Sequence, residues 1–121
     1  MIKGFLLVGL GGAIGAMCRY LMSSIWKTNA FPFSTLLINI FGSLFIGIVL
    51  ALSEKNNFIS DNLKLFLATG ICGGFTTFST FSAENMLMIK AGNYLMAGLY
   101  IFLSVAACII ATFVGFKFIN N

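Results

Sequence analysis

A short stretch in the middle of the chain reads Gly70-Ile71-Cys72-Gly73-Gly74-Phe75-Thr76-Thr77-Phe78-Ser79-Thr80-Phe81-Ser82. It lies within an apolar segment long enough to cross a bilayer, where a plain membrane helix would carry Leu, Ile and Val. In hydrocarbon every backbone N–H and C=O needs a partner, so a stretch rich in glycine and hydroxyl residues is tolerated only where protein or water covers it. We therefore expect this stretch to be the functional centre.

The rest of the chain has the composition of a membrane protein. Of the 121 residues, 60% are hydrophobic and 8% are charged, and the mean hydropathy is +1.03. The apolar blocks predict an all-α membrane protein with four transmembrane helices in one domain, residues 1–121, with spans at about 4–26, 33–53, 64–89 and 94–118. No convincing small-x-small cleavage site follows the first block, so we expect that span to be retained rather than removed as a signal peptide.

Several classes of function are not indicated. The three cysteines are widely spaced and the chain has no histidine, which argues against a metal cluster or a disulfide framework and favours packing roles. The net charge of +4 comes from basic residues scattered between apolar blocks. They form no basic face, so we expect membrane lipids and no nucleic acid as partners.

Small residues recur at spacings that suit close helix packing. Gly11 and Gly15 form a G-x-x-x-G pair in the first span, and Ser43 and Gly47 form a similar pair in the second. Both spans are therefore expected to pack closely against neighbouring helices.

The basic residues give little bias between the two sides of the membrane. One side would present Lys3, Lys55, Lys64 and Lys117, and the other Lys27 and Lys90, with Arg19 if it reaches the interface. This asymmetry is too small to fix one orientation. Because four short helices have little room for a pathway, an antiparallel, dual-topology homodimer would explain both features.

Hydrogen-bond donors outnumber ionisable groups at membrane depth. The donors are Asn39, Thr76, Thr77, Ser79, Thr80, Ser82, Ser104 and Thr112. The ionisable groups are Arg19 and Glu84, so Glu84 is the one candidate for proton coupling. Such a set suits a small anion that accepts hydrogen bonds, aided by the positive ring edges of phenylalanine.

Phe75, Phe78 and Phe81 recur every three residues and would form one stripe on a continuous helix. Simple packing is the alternative role for them. Two further positions allow two interpretations each: Arg19 is an interfacial anchor or attracts anions, and Asn39 holds helices together or lines an aqueous path.

Tyr100, Ser104, Cys108 and Thr112 are spaced four residues apart on the last span and share one helical face. That face is either a helix contact or the wall of a hydrophilic track. In the third span, the pair Gly73-Gly74 is expected to break the helix, because glycine adopts φ values closed to other residues. Carbonyls freed by the break in two copies could enclose one monovalent cation.

These residues resemble a known family, the small bacterial fluoride channels called CrcB or Fluc. The resemblance spans the chain and is carried by Cys18-Arg19-Tyr20, Asn39-Ile40-Phe41-Gly42, the segment from Thr69-Gly70 to Phe81-Ser82, and Gly92-Asn93-Tyr94. The string from Gly73 to Ser82 is its specific part.

The resemblance implies a third helix broken near Gly73–Thr77 and an antiparallel dual-topology homodimer with two pathways in the bacterial inner membrane. Each pathway would passively export fluoride that entered the cell as HF. The resemblance also implies a central structural Na⁺ at the dimer interface, held by the backbone carbonyls of Gly73 and Thr76.

By the same resemblance, Asn39, Phe78 and Phe81 line or flank the fluoride pathway. Its polar walls would be completed by Thr77, Ser79, Thr80, Tyr100 and Ser104. A polar cluster of Glu84 with Thr35 and Ser104 would lie near one end, and Arg19 matches a vestibule arginine. Cys108, with Ala106, departs from the family pattern, since some relatives carry hydroxyl residues along this helix.

We also consider two other classes of function. A small multidrug-type cation/proton antiporter has four spans and a similar length, but it would need a carboxylate in the first span, which has none. A non-transporting assembly subunit would explain the glycines but not the clustered hydroxyl and phenylalanine residues. A fluoride channel breaks no covalent bond, so no enzymatic activity is expected.

Overall fold

The computed structural model describes residues 1–27, 30–55 and 58–120, which form helices and the turns that join them. Helix α1 is Ile2–Ile25, α2 is Phe33–Glu54 and α6 is Tyr94–Asn120. Between α2 and α6 lies a composite span, built from α3 (Asp61–Lys64), a π-helical segment (Leu65–Cys72), α4 (Gly73–Phe75) and α5 (Phe78–Lys90).

Four segments of the described chain are long and apolar enough to cross a membrane: Ile2–Ile25, Phe33–Glu54, Asp61–Lys90 and Tyr94–Asn120. This confirms the prediction of an all-α membrane protein with four spans. We call Asp61–Lys90 the third span.

Helix α1 packs closely against the first half of the third span. Gly11 and Gly15 are buried at this contact. A Cβ atom on Gly11 would lie 2.6 Å from the carbonyl oxygen of Phe66, and one on Gly15 would overlap the carbonyl oxygen of Ile71. The predicted role of the G-x-x-x-G pair in close packing is therefore confirmed.

Helices α2 and α6 form the other close pair. A Cβ atom on Gly47 would overlap the carbonyl oxygen of Thr112, and one on Gly115 would overlap that of Leu44. The hydroxyl of Thr112 also donates to the carbonyl oxygen of Ser43 at 3.0 Å. The pair Ser43 and Gly47 thus lies at a helix contact, as predicted.

The third span is broken within the predicted range, but its glycines do not cause the break. Gly73 has helical angles, φ −62° and ψ −36°. The chain leaves the helix at Thr76 (φ −81°, ψ 155°) and Thr77 (φ −148°, ψ 121°). Gly74 instead permits close packing, because a Cβ atom there would overlap the carbonyl oxygen of Gly12.

The two halves of the third span have different partners. A buried apolar cluster of Leu36, Phe81, Met88, Ala97 and Tyr100 joins α5 to α2 and α6. The first half packs on α1 instead. The break at residues 76–77 therefore lies where the partner of the span changes from α1 to α2 and α6.

Candidate functional site

The side chain of Asn39, on α2, replaces backbone hydrogen bonding at the break. Its Oδ1 accepts from the N–H of Thr77 at 2.9 Å, and its Nδ2 donates to the carbonyl oxygen of Thr77 at 3.2 Å. In an uninterrupted helix the N–H of Thr77 would donate to the carbonyl of Gly73. Nδ2 carries two N–H groups, so one is left for a further acceptor.

Thr77 is the N-cap of α5. Its Oγ1 accepts from the backbone N–H of Thr80 at 3.1 Å and donates to the hydroxyl of Thr80 at 3.1 Å. The hydroxyl of Ser79 lies 3.3 Å away. The structure thus brings together three of the predicted wall residues at the positive end of a helix, where anions are favoured.

A cavity of about 490 Å³ adjoins the break, between α2, the third span and α6. It is lined by five residues predicted for the pathway, namely Asn39, Thr77, Phe78, Phe81 and Ser104, and by both predicted carbonyl donors, Gly73 and Thr76. None of the described residues that line it carries a charged side chain. The cavity is therefore lined by hydroxyl and amide side chains together with aromatic rings.

The aromatic rings form a series that extends beyond the two predicted pathway phenylalanines. The ring centroids of Phe78 and Phe81 are 5.4 Å apart, and those of Phe81 and Tyr100 are 4.9 Å apart. Phe31 meets Tyr100 edge-on at 5.4 Å. Phe75 belongs to α4, before the break, so the predicted stripe of three phenylalanines is wrong for this member.

Phe31 is the site neighbour that sequence reasoning missed. The available signal was its position directly before Pro32, where α2 is expected to begin.

The carboxylate of Glu84 receives two hydroxyl donors. Thr35 donates to its Oε2 at 2.9 Å and Tyr100 to its Oε1 at 2.8 Å. Thr35 is the partner that the resemblance implied, whereas Ser104 makes no hydrogen bond with any described residue. Tyr100 takes that place because it lies one helical turn nearer to the connection between α5 and α6, and so nearer to Glu84.

The face of α6 that carries Tyr100, Ser104, Cys108 and Thr112 is a helix contact at Thr112 and borders the cavity at Ser104 and Cys108. Thr112 is a contact residue, since its hydroxyl donates to the carbonyl oxygens of Ser43 and Cys108 at 3.0 Å and 3.1 Å. Ser104 and Cys108 line the cavity.

Arg19 reaches the other side of the break. Its Nε donates to the carbonyl oxygen of Gly74 at 3.1 Å. A cation is favoured at the carbonyl end of a helix, here α4. Neither interpretation of Arg19 from the sequence included this contact, and its vestibule role stays a prediction.

The cysteines are free thiols. Cys72 is buried and its thiol donates to the carbonyl oxygen of Gly42 at 3.2 Å, in agreement with a packing role. Cys18 is exposed and Cys108 is half-buried.

Comparison of the sequence with known proteins identifies its family. Residues 6–116 match the model of the family described as CrcB-like protein, Camphor Resistance (CrcB). A protein of Azobacteroides pseudotrichonymphae is 43% identical over 119 residues, which cover 96% of this chain and 95% of the relative. One from Leptospira interrogans is 44% identical over 123 residues, covering 98% and 96%.

A third relative, from Chlorobium chlorochromatii, is 42% identical over 113 residues, covering 91% of this chain and 87% of the relative. All three relatives carry the name fluoride-specific ion channel FluC. Four helices that are able to span a membrane and this near-complete match make the chain a multi-pass membrane protein of the CrcB-like family.

Proposed function

We propose that this protein is a fluoride-selective channel of the bacterial plasma membrane, which is the inner membrane in bacteria that have two membranes. It would let F⁻ leave the cytoplasm passively and so relieve fluoride toxicity. The relatives' shared name supports this proposal. The observation that carries it is the cavity beside the break, which is lined by hydroxyl and amide side chains and aromatic rings and, among the described residues, by no charged side chain.

Fluoride is small and strongly hydrated, so a narrow path must replace its water shell with hydrogen-bond donors. Asn39 offers a remaining N–H, and Ser104 offers a buried hydroxyl with no partner among the described residues. The rings of Phe78 and Phe81 line the same cavity, and a ring edge turned to the anion would add positive charge. A weakly hydrated, larger halide gains less from such donors.

The proposal includes a second copy of the chain, antiparallel to the first, so that the assembly holds two pathways. On a single copy, the third span exposes several small or polar residues at membrane depth, namely Thr69, Gly73, Ser79 and Ser82. Phe78 is 77% exposed on the same span. Polar groups at that depth need a protein or water partner. The third span of the other copy would supply one.

A structural Na⁺ at the contact between the two copies is also part of the proposal. Two backbone N–H groups that would donate within a continuous helix donate to side chains instead. The N–H of Thr77 donates to Oδ1 of Asn39, and the N–H of Thr80 donates to the hydroxyl oxygen of Thr77. The carbonyls of Gly73 and Thr76 are thereby released from their usual helical donors. Backbone oxygens suit Na⁺, so these residues fit the ion, and it would supply a fixed positive charge there.

Fluoride efflux from liposomes that contain the purified protein tests the function. A fluoride electrode should record rapid efflux, while matched experiments with chloride and with a drug cation should show little transport. Phe78→Ile should reduce fluoride efflux strongly because it removes an aromatic ring from the cavity lining. Phe102→Ile is the matched control, since Phe102 is 68% exposed on α6 and does not line the cavity.

Equal rates for fluoride and chloride would contradict selectivity. Exchange of the drug cation for protons, without fluoride efflux, would favour the antiporter instead. Undiminished efflux in Phe78→Ile would argue against the assigned pathway.

The assembly has separate tests. Cross-linking in lipid should trap a dimer, and reporters fused to the C-terminus should be found on both sides of the membrane. Elemental analysis of protein purified in Na⁺ and then washed with K⁺ should find about half an equivalent of Na⁺ per chain. A monomer, a single orientation or absent Na⁺ would each remove that part of the proposal.

A further inference from the structure

Helix α5 carries one polar side chain on its buried face. The buried residues of this helix are Phe81, Asn85 and Met88, and their spacing of four and then three residues places them on one face. Phe81 and Met88 belong to the buried apolar cluster that joins α5 to α2 and α6. Asn85 therefore lies between two members of that cluster, and it is only 7% exposed.

The amide of Asn85 pairs one of its two polar atoms and leaves the other unpaired. Its Nδ2 donates to the carbonyl oxygen of Phe81, one helical turn earlier, at 2.9 Å. Its Oδ1 is buried and has no hydrogen-bond partner among the described residues. The reverse orientation of the amide would turn Oδ1 towards another acceptor and lose this bond, so the bond to Phe81 fixes the orientation.

This arrangement lowers the stability of the folded chain. A buried acceptor without a donor is unfavourable. The carbonyl of Phe81 does not require the side chain, because in an α-helix it already accepts the backbone N–H of Asn85. An apolar residue at position 85 would continue the cluster without the unpaired oxygen, so the amide is better explained by a role in transport than by a role in stability.

The bond acts on a residue that lines the cavity. Phe81 is part of the cavity lining, whereas Asn85 is not. The ring of Phe81 contacts those of Phe78 and Tyr100, with centroids 5.4 Å and 4.9 Å away. A side chain that adds a second donor to a helical carbonyl restrains that carbonyl and bends the helix locally. Asn85 can therefore affect the cavity through the backbone of Phe81.

We propose that Asn85 is a positioning residue for fluoride transport, which holds the ring of Phe81 in place through the carbonyl of that residue. Its amide draws the carbonyl towards the side chain and so sets the direction of the first turn of α5, residues 78–81, at the cavity wall. The inference rests on the proposed channel function.

Two substitutions of nearly equal shape separate the hydrogen bond from the packing. Asn85→Thr keeps a donor, since a threonine hydroxyl in a helix bonds the carbonyl four residues earlier. Asn85→Val replaces that hydroxyl by a methyl group, and Val and Thr have similar helix propensities. Met86→Val is the control for a β-branched residue in α5, because Met86 is 61% exposed on the same helix.

Fluoride efflux from liposomes and thermal unfolding in detergent are measured for each variant. Asn85→Val should slow efflux about tenfold, which corresponds to about one hydrogen bond. Its unfolding midpoint should equal or exceed that of the wild type, because the unpaired Oδ1 is gone. Asn85→Thr, which keeps the donor, and Met86→Val, which leaves the buried face unchanged, should both stay within about twofold of wild-type efflux.

Wild-type efflux in Asn85→Val would overturn the proposal. So would a lower unfolding midpoint or a failure of Asn85→Val to fold, because that is the result expected of a purely structural residue. Equal slowing in Asn85→Thr or in Met86→Val would show that the hydrogen bond is not the cause. Absence of fluoride efflux in the wild-type protein would instead refute the channel function itself, so the two failures are distinguishable.

Discussion

Asn39→Asp replaces the NH2 group at the break, with both of its N–H donors, by an oxygen while it keeps the shape of the side chain. The N–H of Thr77 retains its acceptor, but the carbonyl of Thr77 loses the donor that now lies 3.2 Å away. Leaving a buried carbonyl unpaired costs about 1–3 kcal/mol, and because Thr77 is only half-buried the loss should lie near the lower end. The variant should therefore be less stable than the wild type.

The effect on transport should be larger than the effect on stability. A carboxylate at about 4 Å from a passing anion repels it by about 4 kcal/mol at an effective dielectric constant of about 20. Since about 1.4 kcal/mol corresponds to a tenfold change in rate, fluoride efflux should fall about a thousandfold. The fluoride electrode in the liposome assay measures this directly.

Asn93→Asp is the control, because it adds the same charge at an exposed position in the turn before α6. Its efflux should stay within twofold of the wild type. Size-exclusion chromatography would establish that both variants are folded. Efflux of a folded Asn39→Asp protein within tenfold of the wild type would refute the reasoning that Asn39 borders the anion path.

Three further predictions concern packing and the ends of the site. Gly15→Ala should destabilise the protein by about 1–3 kcal/mol through overpacking. Gly9→Ala is the control and should not destabilise it, because a Cβ atom at Gly9 meets nothing within 4 Å. Thermal unfolding in detergent compares the two variants, and equal unfolding midpoints would contradict the close contact at Gly15. Tyr100→Phe removes one donor from the carboxylate of Glu84 and should slow fluoride efflux about tenfold, while an unaffected rate would place this pair outside the pathway. Thr77→Ala removes the N-cap of α5 and should cost about 0.5–2 kcal/mol in unfolding free energy, with an unchanged stability showing that the cap is dispensable.

The number of spans and the close contacts of α1 and α2 were predictable because they depend on local composition and spacing. Long apolar runs predict spans wherever they occur. Glycine pairs four residues apart predict close approach, as Gly11 with Gly15 shows. These features need no knowledge of which helix packs against which.

The cause of the helix break was not predictable in the same way. The sequence offered glycine as the residue that tolerates unusual angles, yet the break uses extended angles at Thr76 and Thr77 that any residue can adopt. What decides the position is the amide of Asn39, which comes from another helix. A pattern of neighbouring residues in the sequence cannot predict such a contact between two helices.

The partners of Glu84 and Arg19 show the same limit. Helical spacing placed Tyr100 and Ser104 on one face correctly, but only the three-dimensional arrangement decides which of them reaches Glu84. Likewise, the contact of Arg19 with the carbonyl of Gly74 joins residues far apart in the chain.

The dependence of the break on Asn39 has a consequence for the order of biosynthesis. Asn39 precedes Thr77 in the chain, so α2 is already made when the third span leaves the ribosome. A peptide of residues 61–90 alone has no such amide, and its Thr77 N–H is free to close an unbroken helix with Gly73. The kink is thus a tertiary property, and a peptide of residues 61–90 alone is expected to form a straighter helix than the same residues in the folded chain.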